Sequence, residues 1–309
     1  MKVLIDRYIP FLNGVLDPYA TVEFLSPETF TPARVHDADA LVIRTRTRVN
    51  RDLLAGSKVR FVATATIGFD HIDTSYCRQQ GIHWTSCPGC NAQAVCDYIE
   101  EVLRENATFH RTTKQTLGIV GVGHVGSKVA AMAERLGWRV LLNDPPKRIG
   151  VPLDRIAAQC DVITFHTPLD ASTYHLCDAS FLAQCRPDAL IVNAARGGIV
   201  DEEALLNSTQ PYVLDCWENE PFINAALCTD RRALFVSCHI AGYSVEGKRN
   251  ASQMCLDALC RFFGLPHLDV SGDTVQQGDS AIGWLSRITT RLKAHPECFE
   301  SFRKAYALR

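Results

Sequence analysis

Short apolar runs alternate with stretches of helical spacing along nearly the whole chain, and that alternation predicts its elements. Through residues 1–86 the runs Lys2–Ile5, Val22–Leu25, Ala40–Ile43, Arg60–Thr64 and Ile82–Thr85 read as strands. The intervals between them leave room for crossover helices, as in Arg51–Leu54 or Asp73–Gln80. That rhythm belongs to a small parallel α/β layer of flavodoxin-like character. Pro88–His110 then reads as a long helix, with Asn91 at its N-cap and Ala94, Val95, Tyr98, Val102 and Leu103 on its buried side.

A second series follows. Leu117–Val120 and Val140–Leu142 are apolar runs on either side of a helical pattern formed by Val125, Val129, Met132, Ala133 and Leu136. Helix Leu153–Gln159 leads to strand Asp161–Phe165, helix Ala179–Cys185 to strand Ala189–Asn193, and helix Glu202–Leu206 to strand Tyr212–Asp215, with Leu234–Ser237 closing the set. This suits a doubly wound parallel sheet of six or seven strands. An amphipathic helix, Val245–Phe263, is expected to pack back on the first domain. Residues 264–309 are polar and irregular up to Ser280–His295, too few for a core of their own. The expected division is therefore 1–90 with 240–264 as one flavodoxin-like domain, 91–239 as a second, and 265–309 as a short carboxyl-terminal segment.

The stretch between the first two strands of the second series changes the picture most. Gly121-Val122-Gly123-His124-Val125-Gly126 sits at a strand-to-helix turn. Gly121 permits the tight turn, Gly123 lets backbone approach a pyrophosphate, and Gly126 lets the helix lie close on the strand. The free N–H groups at the helix start face the anion. Asp144 lies 18 residues past Gly126, where a carboxylate accepts from both adenosine-ribose hydroxyls. Strand, glycines, helix, strand and acid together indicate an NAD site.

Composition then narrows the class. The 309 residues carry a net charge of −2, with 47% hydrophobic and 21% charged residues, the values of an ordinary soluble protein with about two domains. Such a charge gives no global attraction to nucleic acid or to an anionic membrane, and no apolar run reaches the ~18 residues of a membrane span. Charge interrupts the amino terminus too early for a signal peptide. Thirteen scattered cysteines, often in helical patterns, read as reduced thiols of a cytoplasmic protein. Cys87-Pro88-Gly89-Cys90 has redox-motif spacing, but a structural turn is the stronger reading, and no metal site is expected.

Candidate chemistry gathers at strand ends, where ligands of open α/β sheets bind. Arg196, flanked by glycines after the Ala189–Asn193 strand, can hold a substrate carboxylate bidentately. Asp215 can reach the nicotinamide carboxamide, and either Glu218 or Glu220 can support a histidine. His239 lies just beyond the last strand, where a neutral imidazole takes the proton of an alcohol as hydride leaves. In the first domain, Arg44-Thr45-Arg46-Thr47-Arg48 and Thr64-Ala65-Thr66-Ile67-Gly68 follow two strands. The Arg44–Arg48 loop, with Tyr243, Lys248 and Arg249, suits a substrate phosphate remote from the carboxylate.

At these residues the chain resembles the D-2-hydroxyacid dehydrogenase family. The likeness rests on the glycine loop with Asp144, Asn193-Ala194-Ala195-Arg196-Gly197, the Glu220-Pro221 step and His239-Ile240-Ala241-Gly242. A closer likeness, to a branch acting on a phosphorylated four-carbon acid, is carried by residues 64–73, 87–92, 144–146, 165–169, 215–221 and 239–248. It covers most of residues 1–263. The resemblance implies Arg196, Glu220 and His239 as catalytic residues, and Thr45, Thr66 and Tyr243 as substrate contacts. Gly121, Gly123, His124, Val125, Gly126, Asp144, Thr167, Ala195, Arg196, Gly197, Asp215 and Gly242 would hold NAD. It further implies oxidation of 4-phospho-D-erythronate to 2-oxo-3-hydroxy-4-phosphobutanoate, a step toward pyridoxal 5'-phosphate, by a homodimer. Two departures stand out. Position 45 is Thr where the family commonly has Ser, and only a shortened stretch, Phe302-Arg303-Lys304-Ala305-Tyr306, resembles part of the relatives' dimerisation domain. Another D-2-hydroxyacid dehydrogenase, acting on glycerate or its 3-phosphate, and a non-catalytic NAD-sensing scaffold are the competing readings.

Overall fold

The computed structural model describes residues 1–105, 115–272 and 283–308. The chain forms two compact units, Met1–Asn91 with Ser244–Gln276 and Ala92–Tyr243 with Gln277–Arg309.

The first unit is a five-stranded parallel sheet of β1 (Lys2–Asp6), β2 (Thr21–Leu25), β3 (Ala40–Ile43), β4 (Phe61–Thr64) and β5 (His83–Thr85) in the order β2-β1-β3-β4-β5. This is the flavodoxin-like order that the strand-and-helix rhythm predicts. Successive strand residues face opposite sides. Val3, Ile5, Ala40, Val42, Phe61 and Ala63 join one apolar cluster, while Leu4, Leu41, Ile43 and Val62 join another. Both faces are covered, which is why these strands read as continuous apolar runs. Helix Val245–Phe263 covers the first face with Ala251, Cys255, Leu256 and Leu259. Its Ser244 cap accepts from the Gly247 N–H at 2.9 Å, and it ends at Gly264 in the left-handed conformation. The other face is covered by the short helices Pro32–Val35, Arg51–Leu54 and Thr74–Gln79.

The second unit holds β6 (Thr116–Val120), β7 (Arg139–Asp144), β8 (Ile149–Gly150), β9 (Val162–Phe165), β10 (Leu190–Asn193), β11 (Tyr212–Leu214) and β12 (Ala233–Val236), in the order β12-β11-β10-β9-β6-β7-β8. All pairings are parallel except β7 with the two-residue β8. Strand order reverses between β6 and β9, so a crevice opens at their carboxyl ends.

Three expectations need correction. The helix expected over Pro88–His110 spans Ala92–Glu105, because Pro88–Cys90 is spent in a turn; residues 106–110 lie outside the described residues. Asn91 does not cap it: its Oδ1 is buried and has no hydrogen-bond partner among the described residues. The carboxyl-terminal segment, expected as one stretch over 265–309, is divided: its start belongs to the first unit and residues 283–308 to the second. Helix Trp284–Ala294 packs along the edge strand β12, and Thr289 Oγ1 accepts from the Val236 N–H at 3.0 Å, satisfying an edge group that would otherwise be buried unpaired. Trp284 meets Tyr98 edge-on at 5.9 Å, and Glu105 accepts from the Leu285 and Ser286 N–H groups at 3.3 Å each. A further helix, Phe299–Ala305, anchors on the fully buried Phe299. Residues 280–282 of the expected helix lie outside the described residues. Among the described residues no helix is long and apolar enough to cross a membrane.

Candidate active site

The glycine loop is built by exclusion. A Cβ on Gly121, whose φ is +92°, would lie 2.7 Å from the His166 backbone; one on Gly126 would lie 2.0 Å from the Gly121 carbonyl oxygen. The segment after β9 approaches Gly121, and the helix approaches the turn at Gly126, as only glycine permits. Gly123 differs: it caps helix His124–Arg135, and a Cβ there meets nothing within 4 Å. Open space beside the glycine that caps the helix is what an anion approaching the helix start needs.

Asp144, at the end of β7, is buried and accepts from the Val122 N–H at 2.8 Å and the Lys147 N–H at 3.3 Å. The same carboxylate thus holds the glycine loop and keeps acceptor capacity for a diol. Lys147 Nζ donates to the Val122 carbonyl at 2.6 Å and lies 3.8 Å from Asp144, so its charge is committed there. With that cation engaged, NAD should exceed NADP in kcat/KM by at least ~100-fold. Equal efficiency with the two would overturn this role for Asp144.

Arg196 leaves β10 on a loop tied down by Asn193, whose amide donates to the Arg196 carbonyl at 2.8 Å and whose Oδ1 accepts from the Ala195 N–H at 3.1 Å. A Cβ on Gly197 would lie 2.0 Å from the Trp217 carbonyl oxygen, so this loop abuts the one carrying Glu218 and Glu220. Asp215 is almost wholly buried and accepts from Ser237 Oγ at 2.7 Å, Ile240 N at 2.8 Å and Ala241 N at 3.0 Å. These bonds clamp the turn on which His239 sits. The clamp matters because His239 has φ of +57°, a left-handed conformation that costs a non-glycine residue ~1 kcal/mol or more.

Glu220 reaches that histidine: His239 Nδ1 lies 2.8 Å from Oε2 and 3.1 Å from Oε1. Burial alone would raise the Glu220 carboxyl, but His239, the Trp217 N–H and Arg303 hold it below its ordinary value. Glu218 turns elsewhere, to His175 Nε2 at 2.5 Å. Of the two acids the sequence left open, only Glu220 faces His239. Burial pushes the neighbouring Glu202 up to about 7, against the bond it accepts from the Glu218 N–H and with the help of the Glu218 and Glu220 charges.

Sequence reasoning missed Arg303. On helix Phe299–Ala305, it lies 3.7 Å from Glu220 Oε2 and donates to Tyr243 OH at 3.2 Å. No periodicity ties position 303 to 220 or 243. Cys216, Glu220 and His239 also bring their donor atoms within 4.8 Å of one another, but a guanidinium already supplies positive charge there.

In the first unit, Thr45 is exposed at the end of β3, and Thr66 Oγ1 donates to the Gly68 carbonyl at 2.8 Å while sharing a 2.7 Å bond with Thr64. Two cations expected for a phosphate are engaged otherwise. Arg44 pairs with the fully buried Asp6 at 2.9 Å, and Arg249 lies over the Phe11 ring at 4.2 Å with a bond to the Ser271 carbonyl. A buried carboxylate requires a partner, and Arg44 supplies it. The Cys87–Cys90 stretch is a turn, and burial pushes the Cys90 thiol up to about 11, away from redox reactivity.

Residues 95–241 match the family model for the D-isomer specific 2-hydroxyacid dehydrogenase NAD binding domain. An erythronate-4-phosphate dehydrogenase of Bacteroides fragilis is 43% identical over all of this chain and 97% of that protein. The chain belongs to the D-isomer specific 2-hydroxyacid dehydrogenase family, in its erythronate-4-phosphate dehydrogenase branch. Another member of the branch, from Porphyromonas gingivalis, is 37% identical over 99% of this chain and 92% of its own length. In fold, the chain is similar to NAD-bound 3-phosphoglycerate dehydrogenase of Entamoeba histolytica, with a TM-score of 0.71 at 23% identity over 89% of this chain and 99% of that one.

The site fits the family's dinucleotide by its own features: the open cradle at Gly123, the acid at Asp144, and the buried Thr167 Oγ1, which has no hydrogen-bond partner among the described residues. A buried hydroxyl without a partner beside the strand-order switch is a place for a ligand's polar atom.

Proposed function

We propose that this chain oxidises 4-phospho-D-erythronate to 2-oxo-3-hydroxy-4-phosphobutanoate with NAD, a step of pyridoxal 5'-phosphate biosynthesis. The observation that carries the reading is the Glu220–His239 pair at the end of the NAD sheet, in a chain 43% identical throughout to an erythronate-4-phosphate dehydrogenase. Gly121 to Gly126, Asp144, Thr167 and the Ala195–Gly197 loop with Asp215 and Gly242 would hold NAD, which would supply the hydride acceptor. Arg196 holds the substrate carboxylate and polarises the adjoining carbon–oxygen bond. His239 takes the hydroxyl proton at Nε2, because its Nδ1 is turned to Glu220. Glu220 fixes that tautomer and stabilises the imidazolium that results.

Thr45, Thr66 and Tyr243 are the hydroxyls that meet the substrate in this reading. Because Arg44 and Arg249 are engaged elsewhere, the phosphate prediction falls on Thr45 with the rest of the Arg44–Arg48 loop, Tyr243 and Lys248. Unphosphorylated D-erythronate should lose at least ~100-fold in kcat/KM, equivalent to about 2.7 kcal/mol. Thr45→Ala should penalise the phosphorylated acid and spare the bare one. A substrate panel judged by kcat/KM decides: equal efficiency on both acids, or a preference for glycerate 3-phosphate, overturns the assignment. Assembly as a homodimer belongs to the same reading, and a monomer's mass in light scattering would refute it.

A further inference from the structure

We propose that Arg303 is a positioning residue of the acid–base pair: from helix Phe299–Ala305 it ties Glu220 to Tyr243, which makes the carboxyl-terminal helices a working part of the active site. The inference rests on the acid–base roles proposed above. Glu220 distributes its two oxygens among three partners: Oε1 accepts from the Trp217 N–H at 3.0 Å, Oε2 meets His239 at 2.8 Å, and Arg303 Nη1 stands 3.7 Å from Oε2. The guanidinium is therefore close enough to act electrostatically without displacing the histidine. Its Nε donates to Tyr243 OH at 3.2 Å, and its carbon lies 6.0 Å from that ring's centre.

The helix that presents it is well fixed. Phe299 is fully buried, Phe302 lies under the Arg291 guanidinium at 4.0 Å, and the Tyr306 ring is 6.2 Å from the Tyr243 ring. The Arg303 side chain is itself only 30% exposed. Among the described residues, the other titratable or charged groups around the pair include Cys216, whose thiol burial pushes well up, Asp215 and Arg196, both within electrostatic reach of Cys216, Glu202 and Glu218 on the Glu220 side, and Tyr243 and Glu300 beside Arg303. Arg303 is a cation that the fold sets directly against the Glu220 charge, 3.7 Å from its Oε2. A carboxylate shared with a guanidinium stabilises an imidazolium less than one left alone, so Arg303 favours the neutral, proton-accepting form of His239.

Arg303→Met should move the rising limb of kcat/KM against pH, in the oxidation direction, upward by roughly half a unit. KM for 4-phospho-D-erythronate should rise ~10-fold as Tyr243 loses its anchor, while NADH affinity, read by fluorescence titration, stays within ~2-fold. Arg303→Lys should restore the pH profile but not KM, since an ammonium keeps the charge and loses the fork. Tyr243→Phe should raise KM without moving the profile. The His239 imidazole, followed by NMR titration in wild type and Arg303→Lys or Met, should show the same upward movement in the Met variant alone. That readout stands even if the substrate proves to be a different acid, in which case only the activity assignment fails. Superimposable profiles for wild type and Arg303→Met, or a Lys variant that behaves like Met, would reduce Arg303 to a packing residue. If the Met variant does not fold, Arg303→Gln read by the same NMR titration decides, and a His239 imidazole that titrates there as in wild type overturns the proposal.

Discussion

His239→Ala should lower kcat for oxidation of 4-phospho-D-erythronate by about 10²–10⁴-fold, the usual worth of a positioned general base. NAD binding should stay near the wild-type value, because the cradle at Gly121 to Gly126 belongs to another loop. The backbone of His239 complicates the alanine variant, since its φ of +57° is costly for alanine as well. Asparagine adopts that conformation more readily and has no basic nitrogen to accept the proton, so His239→Asn should be as inactive and better folded. Activity within tenfold of wild type in both would exclude His239 as the proton carrier. Glu220→Gln complements the test. The imidazolium loses its counter-charge, so the rising limb of kcat/KM should move to lower pH, opposite to the Arg303→Met shift. The sign of the Glu220 contribution to stability follows from its lowered folded-state value. It is fully present above the ordinary carboxylate range and is lost as pH falls through the lowered value.

Gly126→Ala and Gly123→Ala should fail in different ways. A methyl at 126 would lie 2.0 Å from the Gly121 carbonyl oxygen, inside any tolerable contact with rigid backbone. The helix must move off β6, at a cost of about 3 kcal/mol or more, and both melting temperature and NAD affinity should fall. At 123 a methyl meets nothing within 4 Å of the protein, and φ of −86° is accessible to alanine. That variant should melt within ~2 °C of wild type yet bind NADH at least ~10-fold more weakly, because the space it fills is the one proposed for the pyrophosphate. Undiminished NADH affinity in Gly123→Ala would place the dinucleotide elsewhere.

The contrast between what was and was not legible follows from range. Buried parallel strands announce themselves, since residues such as Ala40–Ile43 are apolar on both faces and need no partner to be recognised. The glycine loop was legible because its constraints act within six residues and on one neighbouring strand. Charge pairing obeys no such locality. Arg44 looked like a phosphate ligand because Asp6, its partner, lies 38 positions away and the pair forms only when β1 and β3 align. Arg303 reaches Tyr243 across 60 positions. Helix Phe299–Ala305 escaped notice for a related reason: its stability comes from burying Phe299 in the second unit rather than from a long amphipathic pattern.

Of the thirteen cysteines, all but Cys298 are buried, and none is in a disulfide. An alkylating reagent applied to the native protein should therefore modify Cys298 first, with every other thiol waiting on an opening of the fold. The buried thiols are divided between the units: Cys77, Cys87, Cys90, Cys255 and Cys260 lie in the first, and Cys96, Cys160, Cys177, Cys185, Cys216, Cys228 and Cys238 in the second. Peptide mapping after timed alkylation would thus report which unit opens first, without any introduced label, and Cys216 and Cys238 would time the loosening of the loops that carry Glu220 and His239.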